Sequence, residues 1–309
     1  MTLEVSVVIP TRNRWDLLAR TLRSALGQRG VDHEVIVVDD ASDDATPARL
    51  AEVAEARLRA IRLPRRSGPA AARNAGIKVA RAPWVAFLDH DDLWSPHKLR
   101  LQLDAAARAD ASFVYVGAVR VDEELHILGV DGRMVDASQL PSELLATNPI
   151  PGGCSGPIVR AELARGIGGF DESLRYLEDW DFWIRATEAG RSVACPEVLV
   201  AYVIRRDNMV VSEQWDIQRE FGYLQQKHAV ASRRAGRYLN GLEFYRWIAL
   251  VHWRTGHRWR AATLLLGGVP RHLRAANLAL LADQVGRYLK HRLAPEGSMV
   301  EPDWLELYR

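Results

Sequence analysis

The sequence predicts an α/β fold, a doubly wound and mostly parallel sheet followed by a C-terminal helical appendage. Three observations predict it. Short apolar runs alternate with helical-spaced stretches throughout the first hundred residues. The runs are continuously apolar rather than alternating, as in strands covered on both faces. Polar clusters follow the runs at their carboxyl ends, where doubly wound sheets bind their ligands. Strands separated by helices imply right-handed βαβ units, and these wind helices onto both faces.

The elements follow in order. VSVVIP (5–10) is a buried strand and WDLLARTLRSALGQ (15–28) a helix. EVIVVDD (34–40) is the second strand and PARLAEVAEA (47–56) the second helix. LRAIRLP (58–64) is the third strand, GPAAARNAGIKVA (68–80) a small-residue helix packed close to the sheet, and WVAFLD (84–89) the fourth strand. Much later, Glu178 and Asp179 open a helix carrying Trp180, Phe182 and Trp183. From about residue 212 the spacing is helical, rich in Arg, His and Trp, without further strand signal, and the end near APEGSMVEPDWLELYR reads as flexible.

Composition bounds the function. A chain of 309 residues is long for one domain, so one large domain plus an appendage is expected: 1–211 and 212–309. Lys and Arg number 41 against 39 Asp and Glu, a net +2, which offers nucleic acid no strong field. Cys154 and Cys195 form neither a disulfide framework nor metal-ligand spacing, so a reducing compartment is expected. MTLEVSVVIP reads as a strand rather than a signal peptide, and no apolar run approaches the roughly 20 residues of a membrane helix. The expected location is cytoplasmic.

Three strand ends carry polar clusters: PTRNR, DDASDD and DHDD. Any one alone is a solvated turn; three opening onto one crevice make a site. Neither G-x-G-x-x-G nor G-x-x-x-x-G-K-[ST] follows the first strand. Pro10, Thr11, Arg12 and Asn13 instead offer backbone groups and a cationic fork. Asp39 and Asp40 can accept from a base or ribose, and Arg73 can reach a phosphate. Asp89, Asp91 and Asp92 repel one another unless a cation is expected. Hard oxygen donors of this kind suit Mg²⁺ or Mn²⁺ rather than Zn²⁺, so a nucleotide diphosphate with a divalent metal is the simplest ligand needing all the clusters. The PGGCSG stretch holding Cys154 and Ser155 lacks G-x-S-x-G spacing and reads as a backbone turn. Trp84 and Trp94 read as packing residues.

The ordered set VSVVIPTRNR, LGQ, EVIVVDDASDD and GPAAARNAGIKVARAPWVAFLDHDD resembles the family 2 glycosyltransferases with the GT-A fold, and the resemblance runs over roughly residues 5–205. It implies a nucleotide-sugar half (1–110) and an acceptor half (111–211). It implies that Pro10, Thr11, Arg12 and Asp40 hold the nucleotide base and that Arg73 approaches the nucleotide. Asp89-His90-Asp91 matches the D-x-D motif, with Asp89 near the ribose, Asp91 on the metal and His90 as a lining residue. NPIPGGCSGPIVRAELARGIGGFDESLRYLEDWDFWIRATEAG resembles the family's acceptor segment and ends in its E-D pair. Acids at a helix start are otherwise favoured by the helix dipole alone. The resemblance assigns Asp179 as general base of an inverting transfer without covalent intermediate, with Glu178 orienting the acceptor or supporting the loop. Trp180 and Ser155 fall on the acceptor side.

The implied partners are a nucleotide-diphospho-sugar donor and a lipid-linked, polysaccharide, small-molecule or peptide acceptor. The Arg/Trp-rich helices suit an anionic membrane surface, a packed cap or a homodimer face. Two other classes compete. A nucleotidyltransferase calls for a Gly-rich phosphate loop after the first strand, and PTRNR has no glycine. A non-catalytic nucleotide-sugar-binding module sits poorly with intact Asp89, Asp91 and Asp179.

Overall fold

A computed structural model describes residues 2–131, 134–205, 217–267 and 302–309. The chain begins with β1 (Val5–Thr11), α1 (Trp15–Leu26), β2 (His33–Asp39), α2 (Thr46–Ala51), β3 (Leu58–Arg62), α3 (Pro69–Val79) and β4 (Trp84–Phe87). It continues through β5 (Leu93–Trp94), α4 (Lys98–Ala109), β6 (Phe113–Val121), β7 (Ile127–Asp131) and α5 (Leu140–Leu144). A 3-10 turn (Gly153–Ser155), β8 (Ile158–Arg160), α6 (Ala161–Gly166), α7 (Glu178–Ala189) and β9 (Ser192–Val203) complete the sheet-bearing part.

The strands form one sheet in the order β3-β2-β1-β4-β8-β6-β9-β5, with β7 beside β6. The first four strands are parallel, as the continuous apolar runs require. Beyond them β8 runs antiparallel between β4 and β6, and β6 and β9 are parallel again. Alternate residues of β1 feed two cores. Val8 packs with Val85, Phe87 and the α7 aromatics, while Val7 and Ile9 pack with Leu18, Leu22 and Leu99 of α1 and α4. Full burial of each such side chain stabilises by about 1.5–3 kcal/mol.

Two elements differ from the sequence reading. The second helix stops at Ala51 rather than running to 56, because only Thr46 and Leu50 of it are buried and a six-residue helix has little apolar face to hold more turns. The third strand is a partly exposed edge rather than a buried one. Trp84 and Trp94 are core residues as read, 5% and 0% exposed.

The C-terminal helices are α8 (Ile217–Lys227), α9 (Ala229–Ala235), α10 (Gly241–Arg254) and α11 (Arg258–Gly267). Phe221, Leu224, Phe244 and Ile248 join the same core as Trp180 and Trp183, so α8 and α10 pack on the α7 side of the sheet. The last residues are not a free end. A 3-10 helix (Asp303–Tyr308) lays Leu305, 0% exposed, against Leu93, Val119 and Ala201. The Trp304 indole N–H donates to the Val198 carbonyl at 3.0 Å and the Tyr308 hydroxyl to the Trp94 carbonyl at 2.9 Å. These side chains cover apolar surface over β5, β6 and β9, where a flexible end would leave it wet.

Candidate active site

The parallel register aligns the strand ends. Thr11 pairs with Asp39 and Val8 with Phe87, so the turns after β1, β2 and β4 open at one edge of the sheet. There lies a cavity of about 1110 Å³, walled also by α3, the 3-10 turn, the start of α7, the end of β9 and one face of α10.

On the side of the β1, β2 and β4 strand ends Pro10, Thr11, Arg12, Asp40 and His90 line the cavity. Arg12 is half-buried, its guanidinium 3.7 Å from the Asp43 carboxylate. Asp40 is 6% exposed, and its two oxygens accept from the Ser67 and Gly68 amides at 2.6 and 2.9 Å. It therefore fixes the turn into α3 as well as lining the cavity. Gly68 needs its glycine there, at φ +94°. The His90 Nδ1 lies 3.3 Å from the Pro10 carbonyl and ties the acidic turn to β1.

Asp89 and Glu178 meet on one cation. The Arg73 guanidinium donates to Asp89 Oδ1 at 2.6 Å and to Glu178 Oε1 at 2.8 Å, and sits 5.4 Å over the Phe170 ring. The sequence reading aimed Arg73 at a phosphate. The structure places it at the cavity wall, 4% exposed, as the link between the strand-end acids and the acid pair of α7. Burial works against its charge, but Asp89 and Glu178 are among the acids that raise its affinity for the proton.

The three acids of DHDD divide in role. Asp89 and Asp91 face the cavity. Burial raises the Asp91 carboxyl above its ordinary range, with His90 opposing and Asp89 adding to the rise. Asp92 turns inward at 1% exposure, accepting from the Ser155 hydroxyl at 2.5 Å and the Val203 amide at 2.9 Å. Ser155 is fully buried. Its hydroxyl accepts from the Asp89 amide at 3.0 Å while donating to Asp92, so it braces the acidic turn from beneath. A small hydroxyl is the side chain that can do both in a closed space.

At the start of α7, Glu178 is 5% exposed and Asp179 half-buried. Asp179 Oδ1 accepts from the Trp180 amide at 2.6 Å. Its Oδ2 faces the Gly152–Gly153 turn, 3.9 Å from where a Gly153 side chain would begin. Both glycines have positive φ, at +71° and +51°, a conformation that strains any other residue, and a Cβ at 153 would lie in ordinary contact with Asp179 and Tyr202. Burial pushes the Asp179 carboxyl up to about 6, with Arg73 and the Trp180 amide pulling against it. Burial likewise raises Glu178, which Arg73 opposes. Trp180 lines the cavity, with its indole N–H fixed on the Leu144 carbonyl at 2.7 Å.

Other lining residues had no signal in the sequence. Tyr202 and Arg205 enter from the end of β9, and Phe244, Trp247 and Val251 from one face of α10. Burial raises the Tyr202 phenol, and the neighbouring Asp92, Asp91, Asp89 and Asp179 raise it further, so it stands among both acid groups. β9 reaches that place through its pairing with β6, more than seventy residues earlier, which no local pattern announces. Outside the cavity, Asp122, Glu124 and His126 also approach one another at the exposed β6–β7 turn, where Asp122 Oδ1 is taken up by the turn's own amides.

Fold and site together define a GT-A-type glycosyltransferase, and the comparisons with known proteins agree. Residues 6–151 match the family model described as Glycosyl transferase family 2. The chain is 36% identical over 223 residues to the succinoglycan biosynthesis protein ExoO of Rhizobium meliloti, covering 67% of this chain and 62% of ExoO. It is 30% identical over 234 residues to the uncharacterized glycosyltransferase YwdF of Bacillus subtilis, covering 74% of this chain and 85% of YwdF. The chain thus belongs to the family 2 glycosyltransferases. Its fold is that of the mannosyltransferase PcManGT from Pyrobaculum calidifontis, solved with GDP-Man and Mn²⁺ (TM-score 0.58, 23% identity, 94% of this chain and 81% of that one). Among the described residues no helix is long and apolar enough to cross a membrane.

Proposed function

We propose that this glycosyltransferase inverts configuration, moving a sugar from a nucleotide-diphospho-sugar to a hydroxyl of its acceptor, with Asp179 as general base. The observation that carries the reading is the pair of acid groups brought together by Arg73, with a half-buried carboxylate, Asp179, lining the same cavity as the D-x-D turn. Pro10, Thr11, Arg12, Asp40 and His90 border the nucleotide, and Trp180 with the face of α10 borders the acceptor.

Asp89 and Asp91 fit a divalent cation of the Mg²⁺ or Mn²⁺ kind. Both donors are hard carboxylate oxygens at the cavity wall, and Asp91 bears a proton affinity raised by burial and its acidic neighbour, a repulsion that a cation relieves. When bound, such an ion supplies charge neutralisation for the departing diphosphate. The chain's own residues do the rest. Asp179 takes the proton of the attacking hydroxyl, Arg73 fixes the distance between the two acid groups, and the glycine turn leaves room opposite Asp179. One base opposite the leaving group allows a single displacement, hence inversion.

The test is Asp179→Asn, assayed for nucleoside-diphosphate binding, turnover and product anomer. Binding should survive while turnover falls by about 10²–10⁴-fold. A variant that turns over normally, or a retained anomeric configuration, refutes the assignment.

A further inference from the structure

The helical region beyond β9 reaches back to the residues before the acid pair through a buried side chain. Glu220 of α8 is 4% exposed. Its Oε1 accepts from the Arg175 amide at 2.8 Å, and its Oε2 from the Tyr176 and Leu177 amides at 3.0 and 3.2 Å. Three consecutive N–H groups converge on one carboxylate, and the next two residues are Glu178 and Asp179. A buried carboxylate is costly unless it is hydrogen-bonded, and these amides compensate it. Three amides can face one anion only if the backbone of 175–177 bends to one side, an anion-binding nest. The anion also sits beside the N-terminus of α7, where the helix dipole favours it.

We propose that Glu220 is a positioning residue for transfer: by clamping the amides of 175–177 it sets where α7 begins and so where Asp179 stands over the cavity. The inference rests on Asp179 being the base. The grip is double. One turn into α7, Asp181 accepts from His228 Nε2 and Lys227 Nζ, both at 2.9 Å, so α8 and the residue after it hold α7 at two points. Between them Phe221 stacks on Phe244 at 3.9 Å and lies 6.1 Å from Trp180, which fixes α8 against both α7 and α10. A glutamate with a purely architectural role would hold any turn; this one holds the turn whose exit is the catalytic pair. Displacements near 1 Å cost about 10²-fold in a positioned reaction.

The experiment compares Glu220→Ala and Glu220→Gln in the full chain. First, wild type is tested with UDP- and GDP-sugars plus Mn²⁺ for hydrolysis in the absence of acceptor, since water attack needs the same base. With the sugar that is turned over, Glu220→Ala should lose about ten- to hundredfold in kcat, while the Kd for the matching nucleoside diphosphate stays within twofold. Glu220→Gln, which keeps an acceptor oxygen, should fall between the two. Hydrogen exchange should show the amides of 175–177 losing protection in Glu220→Ala, with those of β1 and β2 unchanged. A Glu220→Ala protein with wild-type kcat, or one losing nucleotide affinity in step with rate, overturns the proposal. If Glu220→Ala does not fold, Glu220→Gln decides by the same criteria. If Asp179→Asn hydrolyses donor normally, the base assignment fails by itself, and exchange at 175–177 then decides the clamp: retained protection in Glu220→Ala refutes it.

Discussion

At the scale of single residues, the site is organised by charge held in little water. Arg73 serves two acids at once, and its fork geometry is what allows it, since a lysine is one point of charge. Arg73→Ala leaves Glu178 buried without its cation, and removing one partner of a buried pair costs about 3–5 kcal/mol. Urea unfolding should show that loss, and the double variant with Glu178→Gln should recover part of it; full additivity of the two changes would refute the coupling. The Asp179 carboxyl, pushed to about 6 by burial, predicts the pH profile. A base works only when deprotonated, so turnover should be level well above pH 6 and fall about tenfold per unit well below it. A profile flat from pH 7 to pH 4.5 would argue that another group takes the proton. Ser155 belongs to this scale too. Ser155→Ala leaves Asp92 without its hydroxyl donor and unties the Asp89 amide, so Mn²⁺-dependent nucleotide binding should weaken although Ser155 touches neither ligand.

At the scale of elements, the helix α3 must lie close to β1 for Arg73 to reach both acids. Gly76 permits this. A methyl group there would begin 2.2 Å from Val8 Cγ1, in a core with no slack. Gly76→Ala should therefore destabilise by about 1–3 kcal/mol, read from the urea midpoint, despite alanine's better helix propensity. Stabilisation instead would mean that α3 shifts outward freely. The α7 helix illustrates the other side of the element scale. Its first turn holds Glu178, Asp179 and Asp181, an acidic start that the helix dipole favours whatever the function. Asp181 faces His228, Lys227 and Arg185, while the neighbouring pair faces the cavity.

At the scale of the whole molecule, two sets of carboxyls pull stability in opposite directions with pH. Asp91, Asp92, Glu178 and Asp179 have folded-state affinities for protons raised by burial, so the stability linked to them is greatest when they are protonated and is lost as pH rises through their raised range. Asp171 and Asp181 are held below their ordinary range, against the cost of burial, by bonds that include those from Lys227 and His228. Their contribution is present above the ordinary carboxylate range and is lost as pH falls below it. The ligand-free protein should therefore gain Tm as pH drops from 8 toward 5 and lose it again below about 4, the ordinary Asp value. Mn²⁺ with a nucleoside diphosphate should flatten the upper limb by relieving the repulsion at Asp91. A Tm that climbs steadily from pH 5 to 8 without ligand contradicts the buried-acid account.

What the sequence determined by itself was the part fixed by local chemistry. The continuous apolar runs of β1, β2 and β4 announce buried parallel strands, because a strand covered on both faces has no polar side to show. Their carboxyl-end clusters announce the crevice, and the ordered motifs announce the family. Tertiary structure alone decided the rest, since side-chain partners distant in sequence follow from packing rather than from spacing. It made Arg73 a bridge to Glu178, 105 residues away. It sent Ser155 beneath the acidic turn, brought Tyr202 between the acid groups, and placed the carboxylate of Glu220 on the amides that precede Asp179. It also returned the chain's last residues to the sheet, because three apolar side chains of one short helix find an uncovered surface there.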